Sequence, residues 1–193
     1  MGKRYGLVID LDRCIGCHTC RIACKVENGI DVGSGIRVET VGGAHRDTPA
    51  GKFPQLSMYY QPVPCMHCDK PPCLDACPME AVYKREDGIV LVDEGKCDGC
   101  QACMVACPYD SLIYNNDRAI VQKCNLCHKR LEEGLEPFCV TCCEMEALCF
   151  GDLNDPESQV SRLIAQRDAR CLKPEAGTGP AVYYIPVSKP VTV

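Results

Sequence analysis

A chain of 193 residues allows one domain or two closely fused ones, and its formal charge of −5 argues against a nucleic-acid partner. With no Trp, 3 Phe and 19 Cys, the chain has few large side chains with which to fill a core. A disulfide framework does poorly as the alternative: the cysteine number is odd, the N-terminus has no apolar signal-peptide core, and the cysteines bunch at metal-ligand spacings.

Residues 5–10 (Tyr-Gly-Leu-Val-Ile-Asp) read as a strand leading into a first cysteine run, Cys14-x2-Cys17-x2-Cys20-x3-Cys24. Residues 25–64 form a Gly-rich insertion with turns at Gly33-Ser34-Gly35, Gly42-Gly43 and Thr48-Pro49-Ala50-Gly51. Gly42-Gly43 is no phosphate loop, since no Gly-Lys-Ser/Thr follows it. Residues 56–60 are strand-like, and Pro62-Val63-Pro64 stiffens the entry to a second run, Cys65-x2-Cys68-x4-Cys73-x3-Cys77, followed by Pro78. Residues 81–83 and 89–92 flank Glu86-Asp87-Gly88 and predict a β-hairpin. The third run repeats the first, as Cys97-x2-Cys100-x2-Cys103-x3-Cys107 followed by Pro108. A second hairpin is predicted from 112–114 and 119–122 around Asn115-Asn116-Asp117. The fourth run is stretched, Cys124-x2-Cys127-x11-Cys139-x3-Cys143.

Beyond it, Asp155-Pro156 predicts an N-cap with Pro at the first helical position. That helix should run to about Arg170 with Val160, Leu163 and Ile164 on one face, and 181–187 should form a final strand. Covering the sheet is the expected role of this tail, with docking of a partner as the alternative. No apolar stretch approaches the roughly 18 residues of a membrane span. The expected location is cytoplasmic, or exported only by carriage with a signal-bearing partner.

Four quartets are the ligand count for four [4Fe–4S] clusters, and C-x2-C-x2-C-x3-C-P is the bacterial ferredoxin signature. In two-cluster ferredoxins the fourth cysteine of a run ligates the other cluster. The two central runs both end in Cys-Pro and should pair; the outer two should form the second pair. One cluster would then take Cys65, Cys68, Cys73 and Cys107, and its partner Cys97, Cys100, Cys103 and Cys77. The outer pair would take Cys14, Cys17, Cys20 with Cys143, and Cys124, Cys127, Cys139 with Cys24. The shared x3 spacing selects Cys143, with Cys142 as its competitor; Cys142, Cys149 and Cys171 are then spare thiols.

The expected fold class is α+β: duplicated bacterial-ferredoxin-like modules, with short β-hairpins and short helices that begin around the fourth cysteine of each run. An outer module would comprise 1–24 with 115–150 and an inner one 65–114, with 25–64 inserted and 151–193 as a C-terminal extension. The i, i+4 spacing in Cys20–Cys24 and Cys103–Cys107 puts both sulfurs on one helical face. Cys14-Ile-Gly-Cys17-His18 and Cys124-Asn-Leu-Cys127-His128 match the haem attachment motif, but haem would leave broken quartets. Zinc is disfavoured because C-x2-C-x2-C runs are unlike the separated pairs of a zinc ribbon. Sixteen thiolates around four cubes would bring the oxidised net charge to about −13. Arg13, Lys25, Lys96 and Lys123 each adjoin a ligand, as solvated charge or as compensation that raises a cluster's potential. No acid/base pair, nucleophile motif or dinucleotide fingerprint is present, so the chain is expected to be non-catalytic.

The whole chain resembles the four-cluster electron-transfer subunits of the dimethyl sulfoxide reductase family, which includes polysulfide, thiosulfate and related reductases. The resemblance rests on Cys65-Met-His-Cys68-Asp-Lys-Pro-Pro-Cys73, and on Lys123-Cys124-Asn-Leu-Cys127 with Arg130-Leu131 and Gly134-Leu-Glu-Pro137. Phe150-Gly-Asp-Leu-Asn-Asp-Pro156 and Pro180-Ala-Val-Tyr-Tyr184 complete it. It implies a large catalytic partner carrying a molybdenum or tungsten bis-pterin cofactor, often with a membrane subunit exchanging electrons with quinone. Cys142-Cys143-Glu144 departs from the Ala-Cys-Pro ending more usual in such chains, which leaves the surroundings of one outer cluster open. A polyferredoxin-like subunit of a hydrogenase or formate-oxidising complex would show the same cysteines.

Overall fold

The computed structural model describes residues 2–30, 33 and 35–188. In chain order, β1 (Tyr5–Asp10) leads to α1 (Thr19–Asn28), and the insertion carries β2 (Ile36–Val41), β3 (Ala50–Lys52), β4 (Gln55–Ser57) and β5 (Tyr59–Pro64). Then come α2 (Pro72–Asp75), β6 (Val82–Lys84), β7 (Val90–Val92), α3 (Ala102–Ala106), β8 (Leu112–Asn115) and β9 (Ile120–Lys123). The last elements are α4 (His128–Glu132), α5 (Phe138–Thr141), β10 (Leu148–Asp152), α6 (Gln159–Gln166) and β11 (Val182–Ile185).

β1 has apolar residues on both faces, and it is buried because it is the middle strand of three. It runs antiparallel to β10, from Tyr5 opposite Asp152 to Ile9 opposite Leu148, and parallel to β11, from Leu7 opposite Val182 to Asp10 opposite Ile185. α6 lies on this sheet, with Val160 packed against Val8 and Ile185 and supported by Leu163 and Ile164. The tail therefore covers the sheet. Its helix is shorter than expected, ending at Gln166. The cap is Ser158, whose Oγ accepts the Ser161 N–H at 3.2 Å; Asp155 instead accepts from Glu157 N–H at 2.9 Å in a local turn. The final strand is likewise trimmed from 181–187 to Val182–Ile185.

Both expected hairpins form, β6 with β7 and β8 with β9, and β7 lies against β9. The insertion holds more strand than its turn residues suggest. β2 pairs with β5 along its full length, from Ile36 opposite Pro64 to Val41 opposite Tyr59. Ala50, expected in a turn, starts β3, and the expected strand 56–60 is split between β4 and β5. The turn expected at Gly33-Ser34-Gly35 includes Ser34, which lies outside the described residues.

The cysteine-run helices also differ from expectation. α1, α2, α3 and α5 begin just before the third cysteine of each run (Cys20, Cys73, Cys103, Cys139), and only α1 continues through the fourth. In the third run Cys107 leaves the helix as an extended C-cap, φ −79°, ψ 114°, so Cys103 and Cys107 do not share a helical face.

Candidate metal centres

Each run is built on the same bent loop. The residue two places after the first cysteine has left-handed backbone every time: Gly16 (φ 70°), His67 (42°), Gly99 (74°) and Leu126 (52°). At Gly16 a Cβ would stand 2.5 Å from the Tyr60 ring, and at Gly99 2.2 Å from the Ala119 carbonyl oxygen, so both positions need glycine for space as well as for φ. At Leu126 the bend brings the peptide N–H to Cys124 Sγ at 3.4 Å, and at Gly16 it brings the N–H to Cys14.

Eight of the cysteines line two cavities, four to each and each mixing two runs, and others neighbour one another across runs. Cys14, Cys17, Cys20 and Cys143 line one cavity, and Cys14 and Cys20 both feel the charge of Cys143. Cys65, Cys68, Cys73 and Cys107 line a second. Cys103 feels Cys77, Cys97 and Cys100, and Cys139 feels Cys124, Cys127, Cys24 and Cys20. Burial pushes the Cys20 and Cys73 thiols up to about 12, and those of Cys68 and Cys103 up to about 11, with neighbouring thiols adding to the rise. Burial likewise raises Cys124 and Cys139 strongly. Cys17 goes the other way, lowered by hydrogen bonds from the Thr19 side chain and backbone. Metal binding at such thiols must displace protons.

The surroundings suit anionic sulfur. Ala81 N–H donates to Cys77 Sγ and Ala147 N–H to Cys143 Sγ, both at 3.3 Å; Val121 N–H reaches Cys97 Sγ and Leu126 N–H reaches Cys124 Sγ, both at 3.4 Å. Asn28 Nδ2 bridges Cys24 and Cys127 at 3.8 Å each. The Thr178 hydroxyl serves Cys68. Buried ring nitrogens of His18, His67 and His128, all next to ligand cysteines, find no protein partner. Hydrogen-bond donors around thiolates and bridging sulfides are what an iron–sulfur cluster requires. A lone zinc would draw four sulfurs to about 3.8 Å from one another. Among the described residues no three Cys, His, Asp or Glu side chains converge on one ion; the thiols stand around cavities instead. When bound, a [4Fe–4S] cluster supplies one-electron redox chemistry at a potential set by charge, hydrogen bonding and exposure.

Sequence spacing picks out the cysteine runs but not the side chains that hydrogen-bond to their sulfurs. Thr19 and Asn28 had a local signal, lying two residues after Cys17 and four after Cys24. Thr178 had none, because the chain returns to Cys68 from 110 positions away.

Repeated ferredoxin loops around four thiol groups define a [4Fe–4S] protein of ferredoxin type. The model of the 4Fe-4S dicluster domain family matches residues 56–153, and that of the 4Fe-4S binding domain family matches 5–26. The chain is 45% identical to a dimethyl sulfoxide reductase iron-sulfur subunit assigned in Halobacterium salinarum, over 94% of this chain and 78% of that one. It is 42% identical to a subunit of the tetrathionate reductase of Salmonella typhimurium, over 94% and 72% respectively. With one of the polysulfide reductase chains of Wolinella succinogenes it shares 38%, over 96% of both sequences. The chain belongs to this family of iron–sulfur reductase subunits, and it is an electron-transfer subunit for four [4Fe–4S] clusters.

Proposed function

We propose that this chain is the non-catalytic wire of a reductase complex, passing single electrons between a molybdenum or tungsten bis-pterin catalytic subunit and a second redox partner, such as a membrane quinone subunit. The ligand sets are Cys14, Cys17, Cys20 and Cys143; Cys24, Cys124, Cys127 and Cys139; Cys65, Cys68, Cys73 and Cys107; and Cys77, Cys97, Cys100 and Cys103. The outer module joins 1–24 to 115–150, the inner module spans 65–114, 25–64 is inserted and 151–193 is an extension. Contacts of α1 with α5 and of α2 with α3 support that pairing of the runs, and the β8–β9 hairpin crosses from the inner module to the outer.

The observation that carries the reading is the serial arrangement of the thiols. Cys20 of the first group neighbours Cys139 of the second, and Cys124 of the second neighbours Cys65 of the third. Cys107 and Cys103, four residues apart, tie the third group to the fourth. Exposed ligand cysteines occur only in the terminal groups, at Cys17 and Cys100. A series with shielded middle members and accessible ends suits transfer between two docked partners.

Among the described residues no helix is long and apolar enough to cross a membrane. We place the complex in the cytoplasm, or outside it by carriage with a signal-bearing partner. Isolation of the native complex tests the function: about sixteen iron and sixteen sulfide per chain, with molybdenum or tungsten and pterin in the largest subunit, is the expected result. Nickel in that subunit would overturn it in favour of a hydrogenase.

A further inference from the structure

Lys123 stands alone among the described lysines and arginines in being buried, at 6% exposure. Its Nζ donates to the carbonyl oxygens of Val90 and, at 2.8 Å, Cys124. No carboxylate pairs with it among the described residues. The two acids sharing its cleft are otherwise engaged, Glu94 with Arg118 at 2.6 Å and Glu27 with Arg130 at 3.4 Å. An ammonium withdrawn from water without a counter-charge is costly, so an anion must offset it.

The candidate anions flank it. Lys123 adjoins Cys124 and donates to its carbonyl oxygen, and Val90, whose carbonyl also accepts from Lys123, lines the cavity of Cys65, Cys68, Cys73 and Cys107, so the ammonium lies between the two middle groups. The neighbouring ring adds no second cation. His67 Nδ1 accepts the Val90 N–H at 3.1 Å, which leaves the ring's proton on Nε2.

We propose that Lys123 is the shared counter-ion of the two middle clusters, a positioning residue that raises both reduction potentials while leaving the terminal pair unaffected. This rests on the ligand sets proposed above. Each added electron makes a cluster more negative, and a fixed cation between two clusters favours the reduced form of either. A surface lysine beside a ligand, such as Lys96, is screened by water and has little such effect.

The test is an EPR-monitored redox titration of the purified complex, with iron content measured on the same samples. Wild type must show about sixteen iron and four one-electron midpoints; failure there refutes the ligand sets rather than the role of Lys123. In fully loaded Lys123→Met two of the four midpoints should fall, each by about tenfold in the reduction equilibrium, or about 59 mV for one electron. The other two should stay, and Lys96→Met should move none. Four unchanged midpoints, or four shifting equally, overturn the proposal. Should Lys123→Met lose iron, Lys123→Arg and Lys123→Gln decide on the same readouts. Iron and potentials kept by Arg but not by Gln support a charge role, and equal behaviour of the two overturns it.

Discussion

Cys142 and Cys143 compete for one ligand position, and backbone geometry separates them. Cys77, Cys107 and Cys143 share a signature: the residue three places on is left-handed, at Glu80 (φ 49°), Asp110 (50°) and Glu146 (46°), and its N–H returns to the cysteine carbonyl. After Cys77 and Cys143 the next N–H donates to the cysteine sulfur at 3.3 Å. Cys142 lacks this pattern; it is the C-cap of α5, and Cys143, not Cys142, lines the cavity with Cys14, Cys17 and Cys20. Cys143→Ser should therefore abolish or alter the EPR signal of one cluster, whereas Cys142→Ala should leave iron content and all four signals as in wild type. Loss of a cluster in Cys142→Ala would reverse the assignment. Spacing alone favoured Cys143 because x3 recurs in every run. The left-handed turn that gives x3 its physical meaning is not readable from Glu80, Asp110 and Glu146, two of which are residue types that seldom adopt it.

At the scale of elements, α1 does something the shorter helices do not. Its Cys20 and Cys24 lie one turn apart, about 6 Å of rise, yet serve different groups, Cys20 with Cys143 and Cys24 with Cys127. A helix continuing through both cysteines thus sets the separation of two neighbouring sites rigidly. Outside the cysteine runs, α6 depends on ordinary capping. Ser158→Ala removes the acceptor for Ser161 N–H and should cost about 1 kcal/mol, lowering the thermal midpoint by about 2–4 °C at unchanged iron content. An unchanged midpoint would mean that Asp155-Pro156 starts the helix after all. Strand β1 and the two hairpins were legible from the sequence because their partners are local or their apolar runs unbroken. β2 was not, although Ile36-Arg-Val-Glu-Thr-Val alternates, because glycines on both sides read as turn and its partner β5 lies across the insertion. The parallel register of β11 on β1 joins residues some 175 positions apart, and no local pattern encodes such a pairing.

At the scale of the whole molecule, the clusters stand where large side chains would otherwise be. One core group consists of Cys73, Val82, Val90, Cys103, Leu112 and Val121, with Cys77, Cys97 and Cys107 packed against it, so the proposed sites and the core coincide. The largest core group likewise includes Cys20, Cys24, Cys68 and Cys139 beside Leu7, Ile9 and Met66. Among the described core groups only the one where Val8, Val160 and Ile185 meet has no proposed ligand, and a three-stranded sheet with one short helix is too small to fold alone. Removal of iron leaves cavities lined by thiols, with the sulfur-directed N–H groups deprived of their anions. Metal binding and folding are then one transition, as in small metal-dependent domains. Anaerobic chelation should accordingly abolish far-UV circular dichroism and amide protection together, in proportion to iron lost, with β6–β9 and the β1 sheet opening in step. Retention of native dichroism by an iron-free chain would refute the claim that the clusters are the core. Protection surviving at β1, β10 and β11 alone would confine it to the ferredoxin modules.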